Sequence, residues 1–171
     1  MPGWRRVRSI ALLGALVVPA IAACSGDDSP ETELGPKEWK ASVYESVLRE
    51  VALPAAHRSM PDTEKPIVFL ATSDGSGIGL EVQTIIARDL KDEADLRIED
   101  DVANVVLEDE EGKPVRDDGL LVTVTPLPDE QPDRVELTVA LYIDEFDERT
   151  VDVAMSRGAA AWTVTTSIPA D

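Results

Sequence analysis

The last third of the chain alternates between apolar and polar side chains. Apolar residues stand at every second position from Val135 to Ile143, with mostly polar residues between them. Successive side chains of a β-strand point to opposite faces, so this period of two predicts a strand with one buried and one exposed face. The alternation recurs in two later segments, which together predict an antiparallel meander. Their apolar positions are Val151, Val153 and Met155, then Trp162, Val164 and Ile168.

Burying the three segments on one face constrains the first hairpin. Its paired residues must have numbers that sum to an even total, as Ile143 and Val151 do, because a slip by one residue would bury Asp152. A five-residue connection, 145–149, satisfies this condition.

The second hairpin needs the opposite parity. Its paired residues must have numbers that sum to an odd total, as Val153 and Trp162 do. A two-residue turn at Arg157 and Gly158 meets that condition, since glycine can adopt the positive φ of a tight turn.

Helical spacing appears earlier in the chain. Pro36 suits the first turn of a helix, and an apolar stripe over 37–52 predicts an amphipathic helix that ends at Leu53-Pro54. Glu45 and Arg49 are spaced i,i+4 on its polar side. The stripe consists of Trp39, Val43, Val47 and Val51, with Tyr44 and Leu48 beside it. His57 is then expected in an exposed loop.

The middle of the chain mixes strand and helix patterns. The apolar run Ile67–Ala71 predicts a strand buried on both faces, and the spacing of Val82, Ile86 and Leu90 predicts a second helix over 80–91. Further strands are predicted at 102–107 and 120–125, separated by the acidic turn 108–112.

These elements predict an α+β domain with two layers. A sheet with one apolar face needs a cover, and the two amphipathic helices are the available cover. We therefore expect N-terminal amphipathic helices packed on one face of a mainly antiparallel sheet with a C-terminal meander, forming a single domain over 37–171.

The N-terminus is typical of an export signal. Arg5, Arg6 and Arg8 precede an uncharged apolar run of 14 residues, from Ile10 to Ala23. This run is shorter than the roughly 20 residues that a spanning helix needs, so it predicts a signal peptide over 1–23.

The residues that follow this run resemble the lipobox of bacterial lipoproteins. Ile21, Ala22 and Ala23 precede Cys24, the single cysteine of the chain. The resemblance implies diacylglycerol on the Cys24 thiol and cleavage between Ala23 and Cys24. Leucine is the usual residue where Ile21 stands. Two or more acyl chains would hold the mature protein stably at the extracytoplasmic face of the cell membrane.

Composition after Cys24 indicates a tethered and strongly acidic domain. Residues 24–36 are polar and rich in Gly, Pro and Ser, which predicts a lipidated flexible tether. From Cys24 onward, 34 acidic residues face 13 basic ones, a formal charge of −21. Such a surface repels phosphates, so nucleic acid is not an expected partner.

The mature part also resembles small uncharacterised lipid-anchored α+β domains of high-GC bacteria. Those domains carry a Tyr-x-x-Val-Leu-Arg helix early and an aromatic closing strand late. Here the matching segments are 44–49 and 162–164. The resemblance implies a fold without implying an activity.

The sequence contains no motif that specifies a catalytic or cofactor-binding site. Gly75-Ser76-Gly77-Ile78-Gly79 lacks the spacing of a dinucleotide or P-loop fingerprint, so we expect a flexible surface turn. No serine lies in a nucleophile-elbow motif, and with one cysteine and one histidine the chain cannot form a multi-His or multi-Cys metal site. No cofactor is predicted.

The acidic runs permit two interpretations. Carboxylates at predicted strand ends, in 92–101, 108–111, 117–118 and 144–148, could provide a weak Ca²⁺ site, although a solvated acidic surface is favoured.

The missing catalytic spacing favours a non-enzymatic binding or accessory module for an envelope protein or ligand. The alternative is an envelope hydrolase that uses paired carboxylates, such as Asp144 and Asp152. Two acids about 5 to 10 Å apart in a concave pocket, one of them desolvated, would favour the hydrolase.

Overall fold

A six-stranded sheet dominates the structure. The computed structural model describes residues 34–158 and 161–169, which belong to the compact unit Glu31–Asp171. The strand order is β2-β1-β3-β4-β5-β6. Strand β1 is parallel to β2 and β3, and the remaining pairs are antiparallel. The fold is therefore α+β with a mixed sheet. Its strands are β1 Ile67–Thr72, β2 Asp95–Ile98, β3 Leu120–Val124, β4 Arg134–Asp144, β5 Asp147–Arg157 and β6 Trp162–Pro169.

The N-terminal helix continues beyond its predicted end. It consists of α1 (Pro36–Val47), a π-helical turn (Leu48–Ala52) and α2 (Leu53–Ser59). The prediction of an end at Leu53-Pro54 is wrong because helical structure continues through Pro54 to Ser59, and a π-helical turn directly precedes the proline. The wide turn before it is closed by the Leu53 N–H, which donates to the Leu48 carbonyl. His57 is thus an exposed helical residue and not a loop residue.

The predicted apolar stripe of this helix is buried. Trp39, Val43, Val47 and Val51 are each at most 7% exposed. They share one core cluster with buried residues of the third helix, α3 (Leu80–Asp89), and with Val68, Val122 and other residues of the sheet. The second predicted helix is confirmed. The i,i+4 pair is also present, with Arg49 Nη1 3.2 Å from Glu45 Oε2.

Strand β1 is buried on both faces, as predicted. Val68 and Leu70 belong to the main core, whereas Phe69 and Ala71 belong to a second, smaller cluster on the other face. The β1–α3–β2 segment forms a parallel unit. This unit, including the edge strand β2, was not predicted.

A loop, and not a helix, covers the smaller cluster. Val105 and Val115 pack there, between β2 and β3 in the chain. The predicted strand 102–107 is wrong, since Val102–Asn104 is a 3-10 turn and only the bridge between Val106 and Val115 is strand-like. Asp101 explains the turn because its carboxylate accepts the Ala103 N–H and starts a helical turn.

The first hairpin has the predicted parity but a different register. Val139 pairs with Val151, an even total, whereas the predicted partner of Val151 was Ile143. The five-residue connection is also wrong, because Asp144 pairs with Asp147 and encloses only two residues. The Asp144 carboxylate accepts the Phe146 and Asp147 N–H groups at 2.8 and 2.9 Å, which closes a tight turn.

The second hairpin keeps the predicted parity only near its turn. Arg157 pairs with Trp162 and Met155 pairs with Val164, both odd totals, so the predicted pairing of Val153 with Trp162 is wrong. The connection has four residues, 158–161, and not the predicted two. A bulge then shifts the register between Ala154 and Met155, so that Ile168 pairs with Asp152. The predicted parity of the pairing therefore holds at Val164 and changes beyond the bulge.

Trp162 joins the edge strand β6 to α1. Its ring lies 6.1 Å from the Trp39 ring, centroid to centroid. Its backbone N–H donates to Ser42 Oγ at 3.0 Å, and its carbonyl accepts from Ser46 Oγ. Two serines one helical turn apart thus bind backbone groups at the start of an edge strand.

Candidate functional site

A crevice opens at the carboxyl ends of β1 and β3. From β1 the chain leads through α3 to β2 on one side, while β3 lies on the other side of β1. Ligands of open parallel sheets bind where strand order reverses in this way. The cavity has a volume of about 170 Å³. Its walls come from α1, the end of β1, the loop before α3, the start of α3 and the loop after β3. The lining residues are Lys40, Tyr44, Thr72, Ser76, Gly77, Ile78, Gly79, Val82, Pro126, Leu127 and Asp129.

The Gly-rich loop is held in shape by β1. Thr72 is 4% exposed, and its Oγ1 accepts the Gly77 N–H at 3.0 Å. The Asp74 carboxylate accepts the Ser76 N–H at 2.9 Å, which makes an Asx turn and lowers the pKa of Asp74. Gly75 and Gly77 both have positive φ. The loop predicted as a surface turn is therefore also a wall of the crevice.

Gly77 provides a test of this loop geometry. Its φ is +75°, and an added Cβ would lie 2.6 Å from Asp100 Oδ1. The exposed Asp100 side chain can move, so most of the cost of the substitution comes from the left-handed backbone conformation. Gly77→Ala should therefore lower the free energy of unfolding by about 1–2 kcal/mol. Urea unfolding measures this change.

Gly79→Ala is the matched control. A Cβ on Gly79 would meet no atom within 4 Å, and its φ is −58°. The loss of a glycine N-cap and the reduced entropy of the unfolded chain should nearly cancel. Equal destabilisation by the two variants would contradict the assigned loop conformation.

Tyr44 is the most perturbed titratable side chain lining the crevice. It is 4% exposed. Burial raises the pKa of Tyr44 to about 12, and the Asp74 charge adds to the rise, whereas a hydrogen bond from the Leu127 backbone opposes it. The phenol is therefore a neutral hydroxyl across the physiological range. It can donate a hydrogen bond to a ligand but cannot serve as a base near pH 7.

The raised pKa of Tyr44 makes stability depend on pH. In the unfolded chain the phenol ionises around its ordinary pKa of 10.0, whereas in the folded chain it holds its proton to about 12. Unfolding releases a proton in that interval, so the contribution of Tyr44 to the free energy of unfolding is complete below pH 10 and is lost as pH rises to 12. The loss is about 2 kcal/mol.

Tyr44→Phe should remove this part of the decrease in unfolding free energy at high pH. Denaturant unfolding at pH 9 and pH 12 gives the comparison, and the difference between wild type and variant cancels the titration of other groups. Tyr142→Phe is the control, because Tyr142 is only half-buried. This variant should retain most of the decrease in unfolding free energy that the wild type shows between pH 9 and pH 12. An unchanged pH dependence in Tyr44→Phe would show that its phenol is not buried as described.

Lys40 supplies a cationic group lining the crevice. Its Nζ lies 3.2 Å from Asp129 Oδ1, and it also lies 5.8 Å from the centre of the Trp39 ring. The Lys40 side chain is 23% exposed, while the Asp129 side chain is fully exposed at 104%. The lysine is thus fixed against the protein, and its carboxylate partner extends into solvent.

The acids of the alternative hydrolase are not brought together. Asp144 closes the β4–β5 turn. Asp152 lies on β5 and pairs with Thr138, whose hydroxyl donates to the Asp152 carboxylate at 2.9 Å. Thr138 precedes Asp144 by six residues along β4. Six residues of strand span about 20 Å. Asp152 instead shares an open concavity of about 510 Å³ with Glu136 on the polar face of the sheet. Both acids are exposed, so neither is the desolvated acid that the hydrolase needs.

Other predicted site residues lie apart from the crevice. Within residues 34–158 and 161–169, no group of three or more His, Cys, Asp or Glu residues is arranged to hold a metal ion. His57 is exposed on α2. Ala23 and Cys24 lie outside the described residues. Among the helices that the structure describes, none combines the length and apolar character needed to cross a bilayer.

Comparison of the chain with protein-family models, curated proteins and solved structures finds no match. The crevice geometry therefore carries the functional argument. Sequence reasoning placed Tyr44 and Lys40 on a helix without assigning them a role. The signal that could have found the crevice is a doubly buried strand, 67–71, followed by a Gly-rich turn and a helix, which is typical of a parallel unit.

Proposed function

We propose that the protein is a lipid-anchored extracytoplasmic lipoprotein and works as a non-enzymatic binding module for an envelope ligand or protein. The observation that carries the binding role is the crevice at the carboxyl ends of β1 and β3. It combines a reversal of strand order with a neutral buried phenol, a cation and several apolar side chains. These groups bind and orient a ligand, and they provide no nucleophile with an adjacent base.

The lipid anchor is supported by the N-terminal sequence. Three arginines, an apolar run and the sequence Ile21-Ala22-Ala23-Cys24 occur in the order that lipoprotein signals share. Cleavage before Cys24 would leave a polar segment of about twelve residues between the lipid and α1. Such a segment spans roughly 20 Å as a coil, which keeps the domain close to the membrane surface.

A two-layer arrangement is part of the proposal. Buried residues of α1, α2 and α3 form one cluster with the apolar positions of β3, β4 and β5, which supports a helical layer on one sheet face. The opposite face carries the smaller cluster over β1 and β3 and exposed polar residues on β4 and β5. The open polar surface suits a soluble, tethered domain.

Native mass spectrometry of protein purified from its own envelope tests the binding role. Ser76 is exposed and lines the crevice, so Ser76→Trp should fill it, whereas Ser73→Trp adds the same bulk outside the lining residues of the same loop. We expect the wild type and Ser73→Trp to carry the added mass of a bound ligand, and we expect Ser76→Trp to lack it. Equal retention by both variants would contradict binding in the crevice.

A further inference from the structure

Tyr44 offers the crevice a hydrogen-bond donor. Tyr44 is 4% exposed and lines the cavity. Its pKa is raised to about 12, mainly by burial, so its hydroxyl keeps its proton across the physiological range. A neutral phenol at the cavity wall can donate a hydrogen bond to an acceptor that a ligand supplies.

Two further positive features adjoin the same cavity. Lys40 Nζ lines it, and its partner Asp129 is fully exposed. Such a solvent-exposed ion pair is weak, so Asp129 can give way to another anion at small cost. Gly79 precedes α3 and has no side chain with which to cap the first-turn N–H groups, which leaves the positive end of that helix at the cavity.

The negative groups near the cavity are exposed. Asp74 accepts the Ser76 N–H, Asp129 pairs with Lys40, and the Asp100 carboxylate lies beside Gly77. All three carboxylates are in solvent, where water and salt screen their repulsion of a second anion. The donors on the protein side are the more buried groups.

The rest of the lining combines polar groups, including Thr72 and Ser76, with four apolar side chains and leaves little room. Ile78 and Val82 are each 7% exposed, and Pro126 and Leu127 belong to the loop after β3. The volume of about 170 Å³ is below the roughly 300–1,000 Å³ of sites for drug-sized ligands. The cavity therefore suits a short aliphatic stem with one polar end.

From these features we infer that the crevice binds a small aliphatic carboxylate. Tyr44 Oη and Lys40 Nζ hold the carboxylate beside the start of α3, while Ile78, Val82 and Leu127 contact the stem. Asp129 competes with the ligand for Lys40. The inference rests on the proposed function and adds the ligand class.

Titration of the purified domain with isovalerate tests the inference by NMR. Isovalerate should shift the backbone amides of Gly77, Gly79 and Leu127 in a saturable way. Isovaleramide has the same stem without the charge and should bind about tenfold more weakly. Inorganic phosphate has charge without a stem and should also bind more weakly. Equal affinity for isovaleramide, or tighter binding of phosphate, would overturn the inference.

Three variants separate the contacts. Tyr44→Phe and Lys40→Gln should each weaken isovalerate binding several-fold, whereas Asp129→Asn should strengthen it by freeing Lys40. Lys37→Gln is the control, because Lys37 lies on the same helix, pairs with Glu81 and does not line the crevice. A weaker affinity in Asp129→Asn would overturn the competing role of Asp129 and indicate that the acid holds a positive group of the ligand.

The outcomes also distinguish the inference from the proposed function. If isovalerate leaves the amide shifts unchanged while the envelope-purified protein still loses its bound mass in Ser76→Trp, the carboxylate inference is wrong and the binding role stands. If isovalerate binds but Ser76→Trp keeps both the isovalerate affinity and the bound mass, neither ligand occupies the crevice.

Discussion

Trp162→Ala is expected to lower the free energy of unfolding by about 3–5 kcal/mol, the range for truncating a buried tryptophan. Trp162 is 1% exposed and packs on Trp39, which is also 1% exposed. Its loss would leave a cavity between α1 and the edge strand β6 and would remove an aromatic pair. Such a change is a large fraction of the stability of a domain this size. Urea unfolding with an unchanged m-value measures it.

Two variants control for the chemistry of this change. Phe146→Ala removes an aromatic ring that is 82% exposed at the β4–β5 turn, so it should alter stability by no more than about 0.5 kcal/mol. Trp162→Phe keeps a ring but removes Nε1, a buried atom that has no hydrogen-bond partner among the described residues. Since an unpaired buried donor is itself unfavourable, this variant should lose much less than Trp162→Ala. Similar losses in Trp162→Ala and Phe146→Ala would contradict the packing described here.

Helix spacing and strand alternation predicted most of the elements because burial dictates both patterns. The stripe from Trp39 to Val51 and the alternation from Val135 to Ile143 each bury one face. Where local polar contacts determine a turn or a strand register, the pattern of apolar residues was insufficient to predict it. Asp144 closes a two-residue turn that alternation alone cannot locate, and the bulge near Met155 shifts the pairing of Ile168.

The parallel part of the sheet was harder to predict for a different reason. Strand β2 has only four residues, of which Asp95 and Arg97 are charged, so it is too short to show a clear apolar periodicity. The guanidinium carbons of Arg97 and Arg116 lie 5.4 and 5.0 Å from the centre of the Phe69 ring. A charged residue can therefore cover a buried aromatic ring, and a pattern based on apolar residues does not register that packing.

The crevice was only partly foreseeable. Its glycines predict a turn, and helical spacing places Tyr44 beside an apolar stripe. What brings these residues together is the parallel pairing of β1 with β3, which joins residues about fifty positions apart. Without that pairing, the spacing of the glycines alone favoured a surface loop.

Cys24→Ser should abolish anchoring. The proposed lipid is attached through the Cys24 thiol, and a serine hydroxyl does not replace a thiol in that transfer. Each buried methylene contributes about 0.8 kcal/mol to membrane binding, so the loss of two or more acyl chains removes nearly all of it. The folded domain should be unaffected, because the substitution lies in the sequence before the first helix, Pro36–Val47. Its unfolding free energy should match that of the wild type.

Envelope fractionation combined with intact mass of the N-terminus tests the lipid anchor most directly. We expect wild-type protein to sediment with membranes and to carry a diacylglycerol mass on a chain that begins at Cys24. Cys24→Ser should lack that mass and leave the membrane fraction once its signal is cleaved. A wild-type chain of unmodified mass, or a Cys24→Ser chain that stays with membranes after signal cleavage, would show that Cys24 does not carry the anchor.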